Sequence, residues 1–137
     1  MDSGTFPFLD ELKKADSNEL IYQKIISFGK TSPYKKTWDF TENDRVIGCQ
    51  SLLYVRCRYE SGLLYYDFSS DALISQGLAA LLVHFYNGRS LKEVLSTPPS
   101  FFNELNLGHL LSMGRSNGVN SLYRKMIELA LITCKGL

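Results

Sequence analysis

The run "DALISQGLAALLVHFYNG", residues 71–88, limits the fold more than any other. Its spacing predicts a helix that is apolar almost all round, and such a helix is stable only when it is covered on every side. Its uninterrupted apolar stretch, "GLAALLVHFY", falls well short of the ~20 residues a membrane span needs, so the cover must come from the chain itself. The chain has 137 residues, enough for one domain over 1–137 with a sizeable core. Gly77 inside this helix costs about 1 kcal/mol against alanine, which close packing on a sheet is expected to offset. His84 lies in the same apolar setting and reads as a satisfied core or rim histidine.

Strands precede the helix. "RVIG" predicts a short first strand. "SLLYVRCR" alternates, with Leu53, Val55 and Cys57 on one face and Tyr54, Arg56 and Arg58 on the other. "YESG" turns the chain, and "LLYYDFS" returns as a third strand rich in aromatics. Short turns make these strands antiparallel. Helices lie on both sides in sequence. A short one is expected over 8–14. A second opens at Asp16 and Glu19, which have the capping-box spacing, and ends with Gly29 in a left-handed position. Residues 30–43 read as an irregular connection. Ser69 or Ser70 should cap the apolar helix, with Asp71 in its first turn. Ser90 and Glu93 form another capping box, and prolines open "PPSFFNEL". In a last helix over 116–134, Val119, Leu122, Tyr123, Met126, Ile127 and Ala130 share one face. The expected fold is α+β: a small three-stranded antiparallel sheet packed against helices.

A net charge of +1 gives no reason to expect nucleic acid. The opening "MDSGTFPFLDELKK" has early acids and no apolar stretch, so neither a secretory leader nor a membrane anchor is expected, and a reducing cytoplasmic setting is. Three cysteines, at 49, 57 and 134, show no CxxC and no paired spacing. Cys57 reads as a small buried hydrophobe and Cys134 carries no assigned role. No metal site is expected from His84 and His109, which lack HxxxH spacing.

Cys49 stands apart, on a loop ahead of the alternating strand and behind Gly48, which has no side chain to block an approaching partner. The local pattern leaves three readings open: a buried loop thiol, an exposed thiol without a role, or a reactive group. No glycine-rich phosphate loop or cofactor fingerprint is present. A nucleophilic hydrolase would need a base beside the thiol. Sulfur exchange needs less, because the donor's leaving group and access set much of its rate.

Three blocks carry a family resemblance. "VIGCQSLLYV" resembles the V-x-G-C-Q-S-x-V-W block of the SufE/CsdE family of sulfur-acceptor proteins. "FSSDALISQGLAALLVHFYNGRSLKEVL" resembles its S-D-A-x-(I/V)-x-x-G-L segment with the following helix, and "LGHLLSMGRSNGVNSL" its L-S-P-x-R-S-N-G-L block. The resemblance implies an α+β fold shared with the iron–sulfur scaffold IscU. It implies a persulfide on Cys49, with Gly48, Gln50 and Ser51 as loop neighbours. Asp71, Arg115 and Asn117 match motif positions that shape the loop or the docking surface, each with a purely structural reading beside it. The implied partners are a SufS/CsdA-type cysteine desulfurase, which carries the pyridoxal phosphate, and a SufBCD-type cluster scaffold. The chain itself would be a non-catalytic carrier without a cofactor, and a homodimer stays open. Tyr54 stands for the family's tryptophan, Leu53 for its valine and Met113 for its proline. Leu110 stands where a histidine is often found, which leaves His109 out of the expected site. Two rivals remain: an IscU-like scaffold, which needs several thiolates, and a hydrolase pairing Cys49 with His109.

Overall fold

The apolar helix expected from the sequence is the centre of the molecule. In a computed structural model that describes residues 7–37, 40–49, 51–100 and 113–135 (backbone only for 113–117), α3 spans Leu73–Tyr86, and all but three of its residues are buried. Around it lie α1 (Pro7–Lys14), α2 (Asn18–Thr31), α4 (Leu91–Ser96), α5 (Met113–Lys135) and two strands, β1 (Leu53–Glu60) and β2 (Leu63–Ser70). No helix among the described residues is long and apolar enough to cross a membrane.

Two glycines set how close α2 and α3 come. A Cβ added to Gly29 would lie 2.7 Å from the Gly77 nitrogen, and one added to Gly77 would collide with the Ile25 carbonyl. Gly77 therefore packs on a helix rather than on the sheet. Gly29 lies inside α2 rather than ending it, since its small size is needed at the crossing. The α2 cap also shifts by one residue. Ser17 Oγ accepts from the Leu20 amide at 3.1 Å, so Asp16 lies outside the helix. At α4 the Ser90–Glu93 capping box forms as expected.

The hairpin is antiparallel, with Val55 opposite Phe68 and Cys57 opposite Tyr66. Its turn residues Ser61 and Gly62 have φ of 52° and 82°, suiting a tight turn that follows the strand twist. Leu53, Val55, Leu64, Tyr66 and Phe68 point inward and are buried. Val119, Leu122, Tyr123, Met126 and Ala130 of α5 join the same core, and the Tyr66 hydroxyl donates to the Met126 carbonyl at 2.9 Å. Ile127 is only partly buried. On the outer face Arg56 pairs with Asp44 at 2.7 Å, tying β1 to the short 3-10 turn Glu42–Asp44 that leads into the Cys49 loop.

The expected third strand is not formed at "RVIG": among the described residues the sheet has two strands. "RVIG" contributes one bridge, Arg45 to Tyr54, with the Val46 amide donating to the Leu53 carbonyl at 2.8 Å. The chain then turns away at Ile47 and Gly48, where φ is +100°, before a second rung can form. The start of α3 differs as well. β2 runs on through Ser70, and the cap position is Ala72, which has no side-chain cap. Asp71 thus precedes the helix instead of lying in its first turn. The helix expected from "PPSFFNEL" lies, from residue 101 on, outside the described residues.

Gly77→Ala should destabilise the protein by about 2–3 kcal/mol, because the overpacking against α2 outweighs the helix-propensity gain. Urea unfolding measures this, and a change within about 0.5 kcal/mol would contradict the contact.

Candidate functional site

The loop between Val46 and Leu53 is closed at its base by main-chain bonds and by the Asp71 carboxylate. The Val46–Leu53 rung holds one side. On the other, the Leu52 amide donates to Asp71 Oδ1 at 3.0 Å, and the Asp71 amide donates to the Leu52 carbonyl at 3.2 Å. Asp71 therefore shapes the loop directly. Gly48 is required twice over. Its φ of +100° strains any L side chain, and an added Cβ would lie 2.5 Å from Ser121 Oγ on α5. Ser121 is itself buried, so it has little room to yield.

This turn carries Cys49 against α5. The thiol is half-buried and lies 3.9 Å from the Gly118 carbonyl. A Cβ on Gly118 would lie 3.3 Å from the sulfur, so a side chain there would crowd the thiol. Beside Cys49 is a pocket of about 130 Å³ whose walls include Ser51, Leu53, Ser75, Leu78 and Val119. The Ser51 hydroxyl donates to Ser75 Oγ at 2.8 Å across it. Burial pushes the Cys49 thiol above its ordinary range, because the thiolate loses water. Ile47 and Leu52, at the two ends of the loop, are 76% and 40% exposed, and Leu73 at the start of α3 is 51% exposed, so apolar side chains flank the loop at the surface.

The structure brings together Gly48, Cys49, Ser51 and Asp71. Gln50 and the side chains of Arg115 and Asn117 lie outside the described residues, although Arg115 and Asn117 both lie in α5 near its start. Sequence reasoning missed Ser75, Gly118 and Ser121. Gly118 did leave a signal, as a glycine inside a helical pattern. The two serines left none, because each faces the loop only through the tertiary packing.

The other thiols do not converge on Cys49. Leu53 shares the pocket with Cys49, and Cys57 lies four residues further along β1, roughly 13 Å away at strand rise. Cys57 is packed between β2 and the end of α5, and burial pushes its thiol to about 11. A cluster needs its thiolates on one centre, so among the described residues the IscU-like arrangement is not built. His84 is nine residues along α3 from Ser75, about 13 Å by helix rise. Its Nε2 meets Ser32 Oγ at 2.8 Å between Phe28 and Tyr34, and burial lowers its pKa. It is the satisfied histidine the sequence predicts. His109, on which the hydrolase rival rests, lies outside the described residues.

Fold and site together define an α+β protein built around one pocketed loop thiol. Residues 7–130 match the family model "SufE: Fe-S metabolism associated domain", and the chain belongs to that family. It is 33% identical over 111 residues to the SufE-like protein 1, chloroplastic/mitochondrial, of Arabidopsis thaliana, covering 80% of this chain and 30% of that protein. It therefore spans less than a third of that relative. It is 28% identical over 108 residues to the sulfur acceptor protein CsdE of Escherichia coli, with 77% and 74% covered. A solution structure of a hypothetical protein from Thermus thermophilus shares the fold. Its TM-score is 0.77 at 22% identity, with 94% of each chain covered.

Alkylation of Cys49 by iodoacetamide should rise with pH along a curve whose midpoint lies above that of an unburied thiol, since burial disfavours the thiolate. Asp71→Ala should speed that alkylation several-fold at pH 7.5 and cost about 1 kcal/mol of stability, by releasing the Leu52 amide. Asp71→Asn keeps an acceptor and should change both much less. Equal rates in Asp71→Ala and the wild type would show that the clamp does not govern access.

Proposed function

We propose that this chain is a sulfur acceptor and activator of a cysteine desulfurase, carrying sulfane sulfur as a Cys49 persulfide. The observation that carries the reading is the position of Cys49: on a glycine turn, in the family's G-C-Q-S block, at the edge of an apolar pocket. Membership of the family and the name of the CsdE relative support the partner class.

The chemistry follows from the site. The Cys49 thiolate attacks the terminal sulfur of the donor's persulfide. A Cys49–sulfur bond forms, the donor's sulfur–sulfur bond breaks, and the donor's thiolate leaves. One sulfur–sulfur bond replaces another, so no outside oxidant or reductant is consumed. The chain supplies no base and no cofactor in this scheme; the pyridoxal phosphate belongs to the desulfurase. Burial holds the free thiol largely protonated. Docking over Ile47, Leu52 and Leu73 turns the loop outward and frees the thiol to react. The loaded sulfur then returns to the pocket, shielded from small reductants, until a SufBCD-type cluster scaffold in the cytoplasm takes it.

The test is desulfurase turnover, followed as alanine and sulfide, with the wild type and with Cys49→Ser. The expected result is stimulation of several-fold or more that vanishes in the variant, with one added sulfur on the wild type by intact mass. No stimulation and no added sulfur with either SufS-type or IscS-type enzymes would end this reading. Hydrogen exchange over residues 46–51 should rise when the desulfurase is added, and unchanged protection would count against a moving loop.

A further inference from the structure

The pocket beside Cys49 offers far more than the ~10–15 Å³ needed to admit one water-sized atom. Leu53, Leu78, Val119 and Leu122 line it, and all four are buried. An anion in such surroundings is costly unless something donates a hydrogen bond to it. A persulfide is a stronger acid than the thiol it grows from, so cargo on Cys49 brings that problem into the pocket at neutral pH.

Ser51 and Ser75 are the only hydroxyls on the pocket wall among the described residues. They lie 2.8 Å apart and share one hydrogen bond. Whichever serine donates to the other, the pair uses one hydroxyl hydrogen and keeps the second to spare. Ser51 lies in the G-C-Q-S block, but Ser75 falls on one of the unspecified positions of the S-D-A-x-(I/V)-x-x-G-L segment, so the motif by itself does not supply the pair.

We propose that the Ser51–Ser75 pair is the binding site for the terminal sulfur of the Cys49 persulfide, donating its spare hydrogen to that sulfur as an anion. The inference rests on the carrier reading and adds the groups that hold the cargo. The hydroxyls keep the persulfide ionised within an apolar pocket, which leaves it ready for transfer while the walls keep reductants out. Before loading, the same two hydroxyls satisfy each other, so the empty pocket leaves neither serine without a partner.

The experiment loads Cys49 without any desulfurase. A mixed disulfide with thionitrobenzoate is treated with hydrosulfide. The Cys49–aryl sulfur bond breaks, a Cys49–SH bond to the incoming sulfur forms, and thionitrobenzoate leaves. The pH dependence of iodoacetamide trapping, located on the Cys49 peptide by mass, gives the apparent persulfide pKa. It is measured for the wild type, Ser75→Ala, Ser75→Thr and the double variant Ser51→Ala/Ser75→Ala. The expected result is a rise of about one unit in the double variant, the roughly ten-fold worth of one hydrogen bond to a charged group. Ser75→Ala should rise less, because Ser51 can still donate, and Ser75→Thr should match the wild type. The unloaded thiol should shift by less than the persulfide does. An unchanged persulfide pKa in the double variant overturns the proposal, and so does an equal shift of the unloaded thiol, which would mark a change in burial only. If the serine-dependent shift is found but no desulfurase loads Cys49, the carrier reading fails and the pocket chemistry stands. A wild type that retains no sulfur on Cys49 overturns both.

Discussion

A helix that is apolar on nearly every side is stable only when enclosed, and α3 imposes that demand on everything else. Its cover comes from α2 at the Gly29–Gly77 contact, from the inner face of the hairpin, and from α5. The enclosure also fixes the site. The start of α3 follows directly from β2, so Asp71 at that junction stands beside the loop that leads into β1. Packing of α5 then brings Gly118, Val119, Ser121 and Leu122 to the other side of the same loop.

The site holds a thiol partly out of reach without fixing it there. Main-chain bonds and the Asp71 carboxylate secure the ends of the loop, while among the described residues the Cys49 thiol makes only a long hydrogen bond, to the Gly118 carbonyl. Such a contact is weak, so turning the thiol outward loses little hydrogen bonding. The barrier to reaction is mainly desolvation of the thiolate, and in the proposed carrier role a partner that reorders the loop would remove it. A more deeply buried thiol such as Cys57 lacks this freedom, because the paired strand that carries it cannot turn outward.

Reading from sequence succeeded where one element could be judged alone. The alternation of residues 53–58 placed Leu53, Val55 and Cys57 on the inner face, and the helical spacing of residues 119–130 picked out the face of α5 that packs on the core. It went astray where a choice depended on two elements. Gly29 and Gly77 read as a helix end and a sheet contact because neither shows its partner, which lies 48 positions away. "RVIG" has the residues of a strand, but the conformation of Gly48 stops the pairing after one rung. Asp71 reads as a helix-start residue, yet its carboxylate serves the Leu52 amide, a partner visible only after folding.

By itself, the sequence determined the α+β order of elements, the buried central helix and the block that singles out Cys49, because periodicity and motif spacing are local quantities. Only the tertiary structure decided that "RVIG" adds no third strand to the hairpin, that Asp71 closes the loop, and that Ser51 and Ser75 meet beside the thiol. Those outcomes depend on distances between residues far apart in the chain, set by how closely two helices and a hairpin pack, and no local pattern carries that information.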